Sequence, residues 1–171
     1  MHAVLRFAAD AKAADGLEQQ IYARQIVGQL RLIHLCAGML AKELTRLGID
    51  QGHRDRLQDG ITAFAQALPG AKDARDIREH LDEYARGEGQ LQRRAMRESA
   101  IDRLAAAARF WGGGYDPLTE EFREGPFVVS IPVAVEAARL LQTAIYHAAR
   151  AVDASRDPAR RSNPPSEGNC S

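Results

Sequence analysis

The sequence is poor in the residues that mark disulfide-stabilised or polyanion-binding proteins. It has two cysteines, Cys36 in an apolar segment and Cys170 near the C-terminal end, so no disulfide framework is expected. Three of its 23 basic residues are lysines, and 23 acidic residues bring the net charge to zero. A neutral chain predicts no general affinity for nucleic acid or membrane surfaces, so a polyanion would need a local basic patch.

Long apolar runs are absent as well. The sequence has no stretch of about 18 apolar residues, and its first residues lack the charged, apolar and cleavage regions of a secretory signal. We therefore expect a cytoplasmic protein with no membrane partner. The five histidines do not have zinc-ligand spacing, so the sequence predicts no metal and no cofactor.

The segment 17–47 has a clear helical period. Asp15 is placed to cap the start of this helix and Gly48 to end it. Its apolar residues alternate four and three apart, which is the heptad pattern of packed helices. This heptad seam predicts either the core of a bundle or a dimer interface. It consists of Ile26, Leu30, Ile33, Ala37, Leu40, Leu44 and Leu47.

The same segment has a second apolar strip outside the seam. Two apolar faces indicate a helix that is covered on more than one side. The second strip consists of Ile21, Leu32, Leu35 and Met39.

Shorter helices are predicted on both sides of Pro69-Gly70, over 54–68 and 71–86, because their apolar residues recur three and four apart. The Ala-rich segment 100–108 also favours a helix. A last helix is expected to open at Ser130, with Pro132 in its first turn, where proline is tolerated.

A β-hairpin is expected at about 110–129, with 110–115 pairing against 121–129. Gly112, Gly113 and Gly114 end any helix before it, and Asp116-Pro117 marks a turn. The predicted fold is therefore mainly α, a helical bundle of four to five helices with a small hairpin late in the chain.

The domain boundaries follow from composition. Residues 1–153 are expected to form a single domain, in which no definite structure is predicted for 1–14. Arg, Pro, Ser, Asn and Gly dominate 154–171, and this composition predicts a disordered tail.

The segment 72–84 combines an apolar stripe with a dense set of charges. Ala74, Ile77, Leu81 and Tyr84 recur at helical spacing and define a core face. The candidate site residues Arg75, Asp76 and His80 lie on the rest of its circumference. At roughly 100° per residue, Asp76 and His80 are one turn apart.

The run Arg75-Asp76-Ile77-Arg78-Glu79-His80 resembles the signature of the HEPN superfamily, an Arg with a polar residue directly after it and a His five positions on. The resemblance implies a small helical-bundle domain and a metal-independent RNase of toxin, abortive-infection or CRISPR systems. It also implies a homodimer that brings two copies of the motif into one cleft. By position, Arg75 would be the catalytic Arg, His80 the His, and Asp76 the polar residue.

These residue types suit RNA cleavage, because RNA supplies its own nucleophile in the ribose 2′-OH. An imidazole titrates near neutrality and can transfer protons. A guanidinium remains cationic and can hold two phosphate oxygens. Asp76 is placed to orient His80. The expected product carries a 2′,3′-cyclic phosphate, and RNA and an antitoxin protein are the expected partners.

The arginines at 90–109 are relevant to RNA binding. Arg93, Arg94, Arg97, Arg103 and Arg109 outnumber the acidic residues there and suggest either a solvated face or a phosphate-binding patch. Such a patch would offset the acidic residues around the motif.

A non-enzymatic helical interaction or dimerisation module is the alternative. In that case the motif is a surface ion-pair face, supported by Arg78 with Asp82 and by Asp82 with Arg86, four residues apart. A nuclease requires Arg75 and His80 in a concave cleft, whereas the alternative leaves them on a convex exposed face.

Overall fold

The computed structural model describes residues 1–156 and is mainly helical. The described residues form seven helices of at least eight residues, one helix of five residues and three strands. In chain order these are α1 (His2–Ala13), α2 (Gly16–Arg46), α3 (Gln51–Ala67), α4 (Ala71–Glu79), α5 (Leu81–Ala85), α6 (Gln90–Ser99), α7 (Arg103–Phe110), β1 (Gly113–Asp116), β2 (Glu121–Glu124), β3 (Phe127–Ser130) and α8 (Ile131–Arg156).

The predicted count of four to five helices is too low, because the expected helix over 71–86 is interrupted. In addition, the N-terminal segment and the segment 90–99, for which no helix is predicted from the sequence, are helical. The stretch 71–86 is divided at His80, which has φ −118° and ψ 34°. The helix expected over 100–108 begins only at Arg103, because Ala100, a non-glycine residue in the left-handed region with φ 51°, ends α6. The spacing of apolar residues in the sequence does not reveal backbone breaks of this kind.

Helix α1 packs along α2 and buries Val4 and Ala11. Its C-terminal end is held by Gln19 of α2, whose buried amide Nε2 donates to the carbonyl of Ala11 at 3.0 Å and to that of Ala14 at 3.3 Å. Free carbonyls at a helix end need such donors. Gln19 therefore links the α1–α2 turn to the core.

The heptad seam of α2 is the core of the bundle. Ile26, Leu30, Ala37 and Leu44 are 0–2% exposed, and α3 and α8 pack against α2. Helices α3 and α8 also lie close together at Gly60, where a Cβ would come within 2.9 Å of the Ala144 Cβ.

Helix α2 is covered on more than one side, but not along the second apolar strip that led to this expectation. The second apolar strip is 42–70% exposed, because α1, α3 and α8 pack on the other faces of the helix. The exposed strip consists of Ile21, Leu32, Leu35 and Met39.

The predicted hairpin is present and extends into a three-stranded antiparallel sheet of order β1-β2-β3. The turn at Gly125-Pro126 divides the expected second strand into β2 and β3. Tyr115, Phe122 and Val129 occupy paired positions of the three strands and are buried in the main core.

One side chain of α2 covers the edge of this sheet. The Gln20 amide donates to the Tyr115 carbonyl at 2.8 Å and accepts from the Tyr115 N–H. Unpaired backbone groups of an edge strand are thereby satisfied.

Helix α8 continues through Arg156, so Ala154, Ser155 and Arg156 belong to it rather than to the predicted tail. The rest of that predicted tail, 157–171, lies outside the described residues.

Replacing Gln20 with Ala is expected to destabilise the protein by about 1–3 kcal/mol, because both backbone groups of Tyr115 lose their side-chain partners. Urea denaturation monitored by circular dichroism measures this change. Gln25→Ala, at an exposed position of the same helix, is the control and should change the free energy of unfolding by less than about 0.5 kcal/mol. Equal stability of Gln20→Ala and wild type would contradict the role of Gln20.

Candidate functional site

The candidate motif lies on α4 and on the break that follows it. Ala74, Ile77 and Tyr84 are 0–1% exposed, as the apolar stripe predicts. Leu81, predicted to be part of the same stripe, is 51% exposed. The non-helical backbone of His80 ends α4, and Leu81 therefore starts a new helix instead of continuing the core face.

Tyr84 anchors the motif to a second, smaller hydrophobic core, which consists of Ile77, Tyr84, Ala95 and Phe110. Its ring lies 6.0 Å from that of Phe110, measured between centroids. Its hydroxyl donates to Asp76 Oδ2 and accepts from the backbone N–H of Leu91, both at 3.3 Å. Burial raises the Tyr84 pKa to about 12. Asp76 is thus hydrogen-bonded to Tyr84, a partner that the sequence did not indicate.

The turn after α5 is built on Tyr84. Gln92 accepts from the Gly89 N–H and donates to the Tyr84 carbonyl, both at 2.9 Å. A Cβ on Gly89 would lie 2.6 Å from atoms of the Tyr84 ring, so only glycine fits there. The buried amide of Gln92 and the close approach of Gly89 fix where α6 starts.

Arg75 and His80 each have an acidic neighbour on their own segment. The Arg75 guanidinium is paired with the Glu79 carboxylate, and the Arg75 side chain is 26% exposed. His80 Nδ1 lies 3.4 Å from Glu83 Oε1, and its side chain is 50% exposed. Both side chains therefore combine partial exposure with a nearby carboxylate.

The two motif residues line different concavities. The first, which we call the arginine groove, lies between α2 and α4 and has a volume of about 180 Å³. Arg75 contributes to it. The lining residues are Arg24, Gln25, Val27, Gly28, Arg75, Arg78 and Glu79.

The second concavity, the histidine groove, has a volume of about 120 Å³. It contains the other two candidate residues. The lining residues are Asp76, His80, Glu83, Tyr84, Gln90 and Arg93. The chain thus brings Asp76 and His80 together and places Arg75 in a different groove. This arrangement is neither the single cleft that a nuclease requires nor the convex face of the alternative.

A partly buried ion pair joins α4 to the sheet. Arg78 Nη1 lies 4.0 Å from Glu124 Oε2, and the Glu124 side chain is 12% exposed. Burial raises the Glu124 pKa, against the opposing effect of Arg78 and Arg24. Burial also lowers the pKa of Arg78, Glu124 opposes this shift, and the like charge of Arg24 adds to it. Sequence reasoning missed Arg24 and Glu124, because they lie about 50 residues away on either side of the motif.

The basic segment 90–109 is partly used for intramolecular contacts. Arg94 pairs with Glu98 at 2.8 Å, and Arg103 Nε donates to the Arg86 carbonyl at the end of α5 at 2.8 Å. Arg93 lines the histidine groove. The expected surface pair of Arg86 and Asp82 is present at 3.3 Å, whereas Arg78 points to Glu124 instead of Asp82.

Within residues 1–156, no group of three or more His, Cys, Asp or Glu side chains is placed to hold a metal ion. None of the helices in that range is both long and apolar enough to cross a membrane.

Comparison with models of known protein families, with curated proteins and with solved structures found no match to this chain.

Tyr84→Phe is expected to reduce the free energy of unfolding by about 1 kcal/mol, because Asp76 and the Leu91 N–H lose a hydrogen-bond partner while the ring packing remains. The pH dependence should change too. The folded-state pKa of Tyr84, about 12, exceeds the ordinary value of 10. The stability that the protonated Tyr84 hydroxyl contributes is therefore fully present below pH 10 and is lost as the pH rises towards 12.

Urea denaturation of wild type and Tyr84→Phe at pH 9 and pH 11 tests both statements. Wild type should lose more stability between these pH values than the variant. The same loss in both proteins would contradict the assignment of the shift to Tyr84.

Proposed function

We propose that the protein is a HEPN-like, metal-independent endoribonuclease of a toxin or defence system. The observation that carries the proposal is the Arg-x4-His set at the end of α4, where Ala74, Ile77 and Tyr84 account for the core face. The core face is therefore complete without Arg75 and His80, and both residues line a concave surface.

The proposed chemistry divides between the two grooves. His80 acts as the proton-transfer group, and Glu83 near its Nδ1 favours one ring orientation. Arg75 stabilises the negative charge that develops on the phosphorus-bound oxygens. Asp76, restrained by the Tyr84 hydroxyl, contributes a fixed negative charge on the histidine side. The ribose 2′-OH attacks the adjacent phosphorus, the 5′-oxygen of the next nucleotide leaves with a proton, and a 2′,3′-cyclic phosphate results.

A homodimer is part of this proposal, because Arg75 and His80 of one protomer line different grooves. A second protomer would allow the two side chains to meet in a shared cleft. The exposed strip of α2 supports a homodimer with a shared cleft, because the strip lies beside the arginine groove. Gly28, which lines the arginine groove, lies on the same helical face as Ile21 and Leu32.

An antitoxin partner follows from the same resemblance and is proposed with it.

A non-enzymatic dimerisation module is the second candidate. The observation that favours it is the pairing of each motif cation with a carboxylate of its own segment, Arg75 with Glu79 and His80 with Glu83. Together with the exposed apolar strip on α2, these ion pairs are consistent with a surface that binds another protein chain and has no catalytic role.

His80→Ala and Arg75→Ala should each lower cleavage of a labelled single-stranded RNA by about 10²-fold or more, because each removes a catalytic group. EDTA should leave wild-type activity unchanged. His147→Ala, which alters an exposed histidine on α8, is the matched control and should retain full activity.

Equal activity in wild type, His80→Ala and Arg75→Ala would point to a contaminating nuclease and contradict the assignment. Both variants should unfold within about 0.5 kcal/mol of wild type, because neither residue belongs to the buried core. If wild type does not cleave RNA and either variant is much less stable than wild type, the results would favour the dimerisation module.

Light scattering of the purified protein at micromolar concentration should give twice the chain mass. Leu32→Glu, in the centre of the exposed strip, should reduce the mass to that of a monomer, because a buried charge without a partner is costly. Leu104→Glu, at an exposed leucine of α7, is the control and should remain dimeric. A monomeric wild type would contradict both the dimer and the shared cleft.

A further inference from the structure

The arginine groove has chemical features that the Arg-x4-His motif does not require. It brings Arg24 of α2 to the same concavity as Arg75 and Arg78 of α4. Three guanidinium groups around a volume of about 180 Å³ form a concentration of positive charge in a chain of zero net charge. Guanidinium groups pair with oxyanions through two parallel N–H donors.

Two of these guanidinium groups have buried donors without an acceptor. Within residues 1–156, Arg75 Nε and Arg78 Nη1 make no hydrogen bond although both atoms are buried. Buried polar groups are normally satisfied, so such atoms call for an explanation. An oxyanion in the groove would supply acceptors to both.

The carboxylates nearby do not fully neutralise the groove. Glu79 pairs with Arg75, and its side chain is 48% exposed, so water screens its charge. Glu124 approaches Arg78 only to 4.0 Å, which is beyond hydrogen-bond distance. Arg24 is exposed and lies near enough to Arg78 for its positive charge to lower the Arg78 pKa. Three cations thus face two carboxylates.

The groove is also accessible. Gly28 forms part of its wall, and a Cβ at this position would meet nothing within 4 Å. A ligand can therefore reach the arginines past the α2 backbone without displacing a side chain.

We propose that the arginine groove is a phosphate-binding site, with Arg24 and Arg78 as positioning residues beside Arg75. In the proposed nuclease the bound group is a phosphodiester of the RNA strand, and this part of the inference rests on the proposed function. Arg24 and Arg78 hold the backbone, and the charge on Arg75 is then directed to the reacting phosphate.

A free phosphate ion and an RNA phosphodiester offer the same oxygens, so the test uses both probes. Inorganic phosphate is titrated into the full chain and followed by NMR of the backbone amides. A 2′-O-methyl oligonucleotide, which lacks the nucleophile and is not cleaved, is titrated in a second series.

Two variants alter the groove in different ways. Arg24→Gln removes one charge at an exposed helix position and should weaken phosphate binding by about tenfold. Gly28→Leu places a side chain in the open space without changing charge and should weaken binding at least as much. Gly38→Leu is the matched control, since Gly38 lies on the same helix outside the groove and also has open space at its Cβ.

Binding in wild type and Gly38→Leu, together with weaker binding in Arg24→Gln and Gly28→Leu, supports the site. Equal affinity in all four proteins, or no binding of either probe to wild type, overturns it. Competition between the oligonucleotide and phosphate for the groove supports the assignment of the bound group as an RNA phosphodiester. Independent binding of the two probes overturns that assignment. Phosphate binding by a wild-type protein that does not cleave RNA would refute the nuclease and not the groove.

Discussion

The burial of Tyr84 is the constraint on which the geometry of the candidate site depends. Its ring packs on Phe110, and its hydroxyl bridges Asp76 and the start of α6. Gly89 lies so close to the ring that no side chain fits there. Because the turn after α5 is fixed in this way, the histidine groove has one wall from α4 and α5 and another from α6.

Electrostatic compensation is the second organising feature. The charges around the motif form a network that extends from α2 through α4 to the sheet, with the partly buried Arg78 and the buried Glu124 at its centre. A buried pair of this kind is costly to desolvate and gives little evidence of stability. A negatively charged ligand in the groove, as proposed above, would compensate the positive charge of Arg24, Arg75 and Arg78 beside this pair.

Much of the scaffold follows from the sequence. The heptad period, Asp15 and Gly48 define α2 to within a residue of its observed limits, Gly16–Arg46. The core face of the motif is also evident from Ala74, Ile77 and Tyr84. These features depend on local spacing and on capping, which one sequence contains.

The remaining features depend on tertiary contacts. The break at His80 exposes Leu81, and no proline or glycine marks it. Helix α1 forms because Val4 and Ala11 find a partner surface on α2. The arginine groove requires Arg24 to lie across from Arg75, and a contact about 50 residues apart in the chain has no signature in a local pattern.

Identification of the RNA ends produced by the purified protein in EDTA tests the central claim most directly. Mass spectrometry of the products should find a 2′,3′-cyclic phosphate on the upstream fragment and a 5′-hydroxyl on the downstream one, because the 2′-OH is the proposed nucleophile. Fragments with a 3′-hydroxyl and a 5′-phosphate, or intact RNA, would contradict the claim.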